Sequence, residues 1–137
     1  MITAIDTNIL LDVLIPDTQY GATSKALLDE AHQKGALIIN EAVYAELATQ
    51  FNSQVELETF LRETGIRLET SGPDALYLAG ELWRQYNLKR KGKRQRILSD
   101  FLIGAHASTQ ADALATRDRG YYRTYFKKIK ILSPTAG

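Results

Sequence analysis

Short apolar runs alternate along the chain with amphipathic stretches. Ile2 to Ile5, Ala36 to Ile39, Ala113 to Thr116 and Ile129 to Leu132 are mostly apolar runs bounded by polar residues, and Ile66 to Leu68 is a shorter one. Runs of this length with β-branched residues predict buried strands. Between them the spacing turns helical. Asn8 to Leu14 predicts a short helix stopped near Pro16. Thr23 to Gln33 places Ala26, Leu27, Leu28 and Ala31 in one stripe, ending at Gly35. Asn40 is suited to cap a helix through Phe51, and Val55 to Glu63 predicts another that closes at Gly65. Asp74 to Tyr86 carries Leu78, Leu82 and Tyr86 on one face, and Ser99 is placed to cap a helix running to about Gln110. Strands alternating with helices imply crossover connections and a parallel sheet covered on both faces. Ligands of such sheets bind at the carboxyl ends of the strands.

A length of 137 residues suits one domain spanning 1–137. Cysteine is absent, which excludes a disulfide framework and a thiolate zinc site. The segment Met1 to Pro16 carries Asp6 and Asp12 and no Lys or Arg. It makes a poor signal peptide and is too short for a membrane span, so the expected location is the cytosol. The net charge of +1 conceals an asymmetry: residues 1–83 hold thirteen acids and four bases, residues 84–137 three acids and thirteen bases. Solvated faces can cluster by sign, but a basic surface for a polyanion beside an acidic pocket has the same signature. The densest run, Lys89-Arg90-Lys91-Gly92-Lys93-Arg94-Gln95-Arg96, reads as an exposed loop.

The carboxyl-end rule selects the acids that bear on chemistry. Asp6 directly follows the first strand, Asp118 lies just beyond the strand ending near Thr116, Asp100 sits in the first turn of a helix, and Glu46 lies in the second turn of the helix after the second strand. Four converging carboxylates suit a hard divalent cation, which prefers oxygen ligands. Each has an ordinary alternative role: helix cap for Asp6, first-turn acid for Asp100, surface residue for Glu46, turn residue for Asp118. Glu41 competes with Glu46, and five residues of helix set the two about 140° apart. Asp12 reads as surface, Asp112 as a turn former, His106 as packed and His32 as solvent-facing. Trp83 and the tyrosines read as core or dimer contacts. No Ser stands in a nucleophile elbow, and no P-loop or dinucleotide fingerprint occurs.

The local sequence around the four acids resembles a known family. Ala4-Ile5-Asp6-Thr7-Asn8-Ile9-Leu10-Leu11-Asp12 resembles the opening of a PIN domain, the nuclease domain of VapC-type toxins. Ala42-Val43-Tyr44-Ala45-Glu46-Leu47, Ile97 through Ala107 around Asp100, and Leu114-Ala115-Thr116-Arg117-Asp118-Arg119-Gly120-Tyr121-Tyr122 resemble its second, third and fourth motifs, in order and at the expected spacing. The resemblance implies a three-layer α/β/α sandwich with a mostly parallel central sheet. It implies a ribonuclease dependent on one or two Mg²⁺ or Mn²⁺ ions, a homodimer, and inhibition by a small antitoxin. The family's four acids fall on Asp6, Glu46, Asp100 and Asp118, with Asp6 and Asp118 the expected direct ligands. Its polar residues fall on Thr7, Asn8 and Thr116, as supports of carboxylate geometry.

In this reading a water activated by the cation attacks the phosphodiester in line, leaving a 5′-phosphate and a 3′-hydroxyl. The cations Lys89, Arg90, Lys91, Lys93, Arg94 and Arg96, with Arg117, Arg119 and Arg123 flanking Asp118, are expected to offset the repulsion between RNA and the acids. A housekeeping RNA-processing nuclease of the same type and a non-catalytic RNA- or partner-binding module are the alternatives. A phosphohydrolase with Asp6 as nucleophile is disfavoured, because its usual second acid two residues on is Asn8 here.

Overall fold

The computed structural model describes residues 1–15, 19–92 and 96–135. Lys93 and Arg94 of the basic run therefore lie outside the described residues. The apolar runs form five strands: β1 (Thr3–Ile5), β2 (Leu37–Ile39), β3 (Ile66–Leu68), β4 (Ala113–Ala115) and β5 (Lys130–Leu132). They make one sheet in the order β3-β2-β1-β4-β5, and every pairing is parallel. Residue types sort by position in that order. The three inner strands, TAI, LII and ALA, are buried at every position. The two outer strands carry the exposed Arg67 and Lys130. A charged residue on an outer strand blunts its unpaired edge against further pairing.

Seven helices are found among the described residues: α1 (Thr7–Leu14), α2 (Gly21–Lys34), α3 (Glu41–Ala48), α4 (Gln54–Thr64), α5 (Pro73–Lys89), α6 (Leu98–Gln110) and α7 (Arg119–Tyr125). They cover both faces of the sheet, which gives the expected α/β/α sandwich. Local chemistry sets their ends. Asn40 accepts from the Val43 N–H at 3.1 Å and Ser53 from the Glu56 N–H at 3.2 Å, satisfying donors the first turn leaves free. Gly65 closes α4 at φ 71°, where a side chain would be strained and would meet the His32 ring. Gly104 of α6 faces Phe126, whose ring lies 2.2 Å from where a Cβ would stand, so only glycine admits this packing. No described helix is long and apolar enough to cross a membrane.

Three expectations need correction. Lys89 is the last residue of α5 rather than part of a loop, because the helix continues past Tyr86. Ser99 does not cap α6: the helix starts at Leu98, and the Asp100 carboxylate reaches back to the Ile97 N–H at 3.0 Å instead. The helix expected through Phe51 ends at Ala48, where the Thr49 hydroxyl bonds the Glu46 carbonyl at 2.7 Å. The seven-residue α7 escaped the sequence reading, being too short to show a period.

Candidate active site

The sheet's winding determines where the acids meet. From β1 the chain steps outward through β2 to β3, then returns to place β4 and β5 on the other side of β1. The direction reverses between β1 and β4, and at such a switch point a crevice opens at the carboxyl ends of the strands. Ile5 and Ala115 are register partners there, and the Asp6 N–H donates to the Ala115 carbonyl at 2.9 Å. Asp6 and Thr116, the next residues on the two strands, are thereby brought side by side although 110 positions separate them.

Asp6 is the hub of the crevice and is only 7% exposed. One carboxylate oxygen accepts from the Thr7 N–H at 2.7 Å, which also caps α1. The other accepts from Thr116 Oγ1 at 2.7 Å, Tyr122 OH at 3.1 Å and Asn8 Nδ2 at 3.3 Å. Burial pushes the pKa of Asp6 up to about 6; the donors Thr116, Tyr122 and Thr7 hold it down in part, and the charge of Glu46 adds to the rise. Tyr122 is held well above its ordinary pKa by burial first and then by the charge of Asp6, so it remains a proton donor. Glu46 joins the hub through Thr7, whose hydroxyl donates to Glu46 Oε1 at 2.7 Å. Glu41 turns the other way and accepts from the N–H and hydroxyl of Ser71. Of the two acids on α3, Glu46 is the one bonded to the group around Asp6.

Thr116 joins the hub to the fourth acid. Its Oγ1 donates to Asp6 and accepts from the Asp118 N–H at 3.0 Å, while the Arg117 N–H donates to Asn8 Oδ1 at 3.2 Å. Asp118 itself is more open, with a side chain 37% exposed, and its Oδ2 receives Arg96 Nη1 at 2.6 Å. Arg96 also lies over the Tyr121 ring, 4.3 Å from the centroid, and its N–H donates to Tyr86 OH at 3.0 Å. Asp100 makes no hydrogen bond to this network; its charge acts on Arg96, Tyr121 and Tyr122 through space.

Three arginines of the basic half pair with acids among the described residues, and one of these, Arg84 with Glu81 on the exposed side of α5, lies one turn apart on the same helix. Arg96 holds Asp118, and Arg117 pairs with Asp12 at 3.0 Å while lying over the Tyr20 ring at 4.4 Å. Asp12, expected at the surface, is 3% exposed and also accepts from Ser24 at 2.7 Å. It ties α1 and α2 to the segment that carries Asp118. Lys89, Arg90, Lys91, Arg119 and Arg123 are exposed. His106 is buried and His32 exposed, as expected, and Asp112 accepts from the Ile2 N–H at 2.7 Å.

The PIN domain family model matches residues 3–127, nearly the whole chain. The chain belongs to the PIN domain family. No curated protein matches its sequence. Among solved structures it is similar to VapBC2 from Rickettsia felis bound to a DNA fragment from its promoter, with TM-score 0.70, 18% identity and coverage of 98% of this chain and 99% of that one. VapBC-1 from nontypeable Haemophilus influenzae gives 0.69, 17%, 97% and 98%. VapC20 of Mycobacterium tuberculosis, a sarcin-ricin loop cleaving toxin, gives 0.57, 18%, 82% and 86%. At these identities the likeness is one of fold.

In this PIN domain the donor set fits a hard cation in kind: carboxylate oxygens backed by hydroxyls and an amide, with no softer ligand. Among the described residues, however, no three acidic or histidine side chains converge closely enough to hold an ion as they stand. Each acid is engaged otherwise: Asp6 with its donors, Glu46 with Thr7, Asp100 with the Ile97 N–H, Asp118 with Arg96. The Tyr121 hydroxyl is a buried donor with no partner among the described residues, in a residue 5% exposed beside this group. Sequence reasoning missed Tyr121 and Tyr122. The available signal was their spacing, since Tyr122 lies four residues after Asp118 and a helical turn returns it to the crevice.

Proposed function

We propose that this PIN domain is a divalent-metal-dependent ribonuclease acting in the cytoplasm, the toxin of a toxin–antitoxin pair. The observation that carries the reading is the pairing of Asp6 and Asp118 through one hydroxyl, Thr116 Oγ1, at the switch point of the sheet. Asp6 and Asp118 would hold Mg²⁺ or Mn²⁺, one ion or two, with Asp100 and Glu46 completing the acidic wall. A cation bound there lowers the pKa of water and neutralises charge developing on the phosphorus oxygens. The chain's own groups do the positioning. Thr7, Asn8, Thr116 and Tyr122 hold the Asp6 carboxylate in one orientation, so no reorganisation is needed when charge develops. Thr7 does the same for Glu46.

The substrate follows from charge. Lys89, Arg90 and Lys91 end α5 and extend beyond it, Arg96 bonds Asp118, and Arg119 opens α7; in this reading they would bind the phosphates of the RNA. Lys93 and Arg94 share that role in the sequence reading, and Arg117 contributes through its pairing with Asp12. The antitoxin and a homodimer are inferred from kinship with VapC proteins, whose similar structures are VapBC assemblies.

The test is cleavage of a single-stranded RNA by the purified chain in Mn²⁺ and in excess EDTA, with analysis of the new ends. Cleavage in Mn²⁺ alone, giving a 5′-phosphate and a 3′-hydroxyl, is expected. Undiminished cleavage in EDTA, or 2′,3′-cyclic phosphate ends, would contradict the mechanism. A chain that neither cuts RNA nor binds Mn²⁺ would be a binding module on the PIN fold. Release of activity after a co-expressed small partner is removed by denaturation and refolding would support the toxin assignment.

A further inference from the structure

The contact between Arg96 and Asp118 places a guanidinium on one of the two carboxylates expected to hold metal. At 2.6 Å it is a short charge-assisted bond, and both side chains remain partly exposed, at 30% and 37%. Burial works against the charge on Arg96, but the hydrogen bond and charge of Asp118, with Asp100 behind them, outweigh it and raise its pKa. Two contacts hold the rest of the residue. Its N–H is fixed to Tyr86 OH, and its guanidinium lies flat enough to reach the Tyr121 ring at 4.3 Å. The backbone is thus anchored while the charged end rests against an aromatic face and an acid. The Tyr121 hydroxyl has no hydrogen-bond partner among the described residues, a donor left for something the site receives.

We propose that Arg96 is a phosphate-binding residue parked on Asp118, which it yields to a divalent cation before turning to the RNA phosphate brought to that cation. A guanidinium fork matches carboxylate and phosphate equally well, so the same donors serve both partners. With a cation on Asp118, Arg96 would be released from this partner, and the phosphate of an incoming RNA would supply another. Arg96 therefore competes with metal and cooperates with substrate. Empty, the site keeps its exposed acid neutralised; loaded, it gains a cation facing the phosphate. The inference rests on the nuclease reading above.

The two roles predict effects of opposite sign from one substitution. Arg96→Gln should tighten Mn²⁺ binding to the RNA-free chain about two- to fivefold, the range a half-exposed ion pair is worth, measured by isothermal titration. In single-turnover cleavage at saturating Mn²⁺, the same variant should raise the half-saturating enzyme concentration for a single-stranded RNA about tenfold. Arg96→Lys keeps a charge without the fork and should fall between. Lys89→Gln removes an equal charge at the end of α5, from a residue with no ion pair among the described residues, and should alter Mn²⁺ affinity less than Arg96→Gln does. Mn²⁺ affinity that is unchanged or weaker in Arg96→Gln, or shifted equally by Lys89→Gln, would overturn the competition. Unchanged half-saturation would overturn the phosphate role. If the wild type neither binds Mn²⁺ nor cuts RNA, the nuclease reading falls with it; if it does both and Arg96→Gln behaves as wild type, only this proposal falls.

Discussion

Asp6 and Asp118 share one threonine hydroxyl yet live in opposite environments. Asp6 is 7% exposed and accepts from Thr7, Asn8, Thr116 and Tyr122. Asp118 is partly open to solvent and its carboxylate is met by a mobile kind of partner, a long arginine side chain. The fold builds the first carboxylate: its N–H is bonded to the Ala115 carbonyl at the end of β1, and its donors come from α1, the end of β4 and α7. The second hangs on a turn and is held by a charge that can be exchanged. In the proposed metal site one ligand would be fixed and the other would answer to what binds.

The largest effect should come from breaking the fixed half. Asp6→Asn is expected to reduce RNA cleavage by more than the ~10–100-fold that outer-shell partners are worth, measured by single-turnover kinetics in Mn²⁺. Cleavage within a few-fold of wild type would show that the buried carboxylate is only a helix cap.

The same residue makes a pH prediction. Its folded pKa of about 6 lies above the ordinary 3.8, so the folded chain holds a proton that the unfolded chain has already released. Stability from this group is complete below about pH 4, declines as pH rises through about 6, and is lost above it, by roughly 3 kcal/mol at most. Denaturant melts in EDTA at pH 4, 6 and 8 should show wild type losing stability relative to Asp6→Asn across that window. Parallel profiles would mean that Asp6 ionises normally.

Thr116→Val tests the link between the halves. It removes a donor to Asp6 and the acceptor of the Asp118 N–H while keeping the shape of the side chain. Activity should fall about 10–100-fold, with a loss of stability of about 1–3 kcal/mol from the groups left unpaired. An activity equal to wild type would show that the two acids work without their common hydroxyl.

The smallest effect is expected at the support of the open half. Arg117→Gln removes the charged partner of the buried Asp12, which keeps its bond from Ser24, and should lower stability by about 1 kcal/mol, since Arg117 is itself a third exposed. A melt unchanged by this substitution would remove the Arg117–Asp12 pair from the account of how the Asp118 segment is held.

The sequence made the frame of this site legible and left its contacts hidden, for identifiable reasons. The inner strands could be read because apolar runs of fixed length admit little else, and Asp6, Thr116 and Glu46 could be placed because they adjoin strands or a capped helix. Asp12 could not, since its burial depends on Arg117 and Ser24, residues from distant segments that no local period connects to it. Tyr122 was invisible because α7 is only seven residues long. Arg96 was legible as a cation of the basic run, but nothing in that run distinguishes the arginine that turns inward onto Asp118 from the exposed Arg90.

The most direct test of the central claim, that Asp6 and Asp118 together form a metal site with one fixed and one exchangeable ligand, is a crystal structure grown in Mn²⁺ with an anomalous difference map. The account predicts an anomalous peak beside Asp6 and Asp118, an unmoved Asp6 with its donors in place, and Arg96 turned away from Asp118. A peak elsewhere, or no peak with Arg96 still bonded to Asp118 at millimolar Mn²⁺, would contradict it.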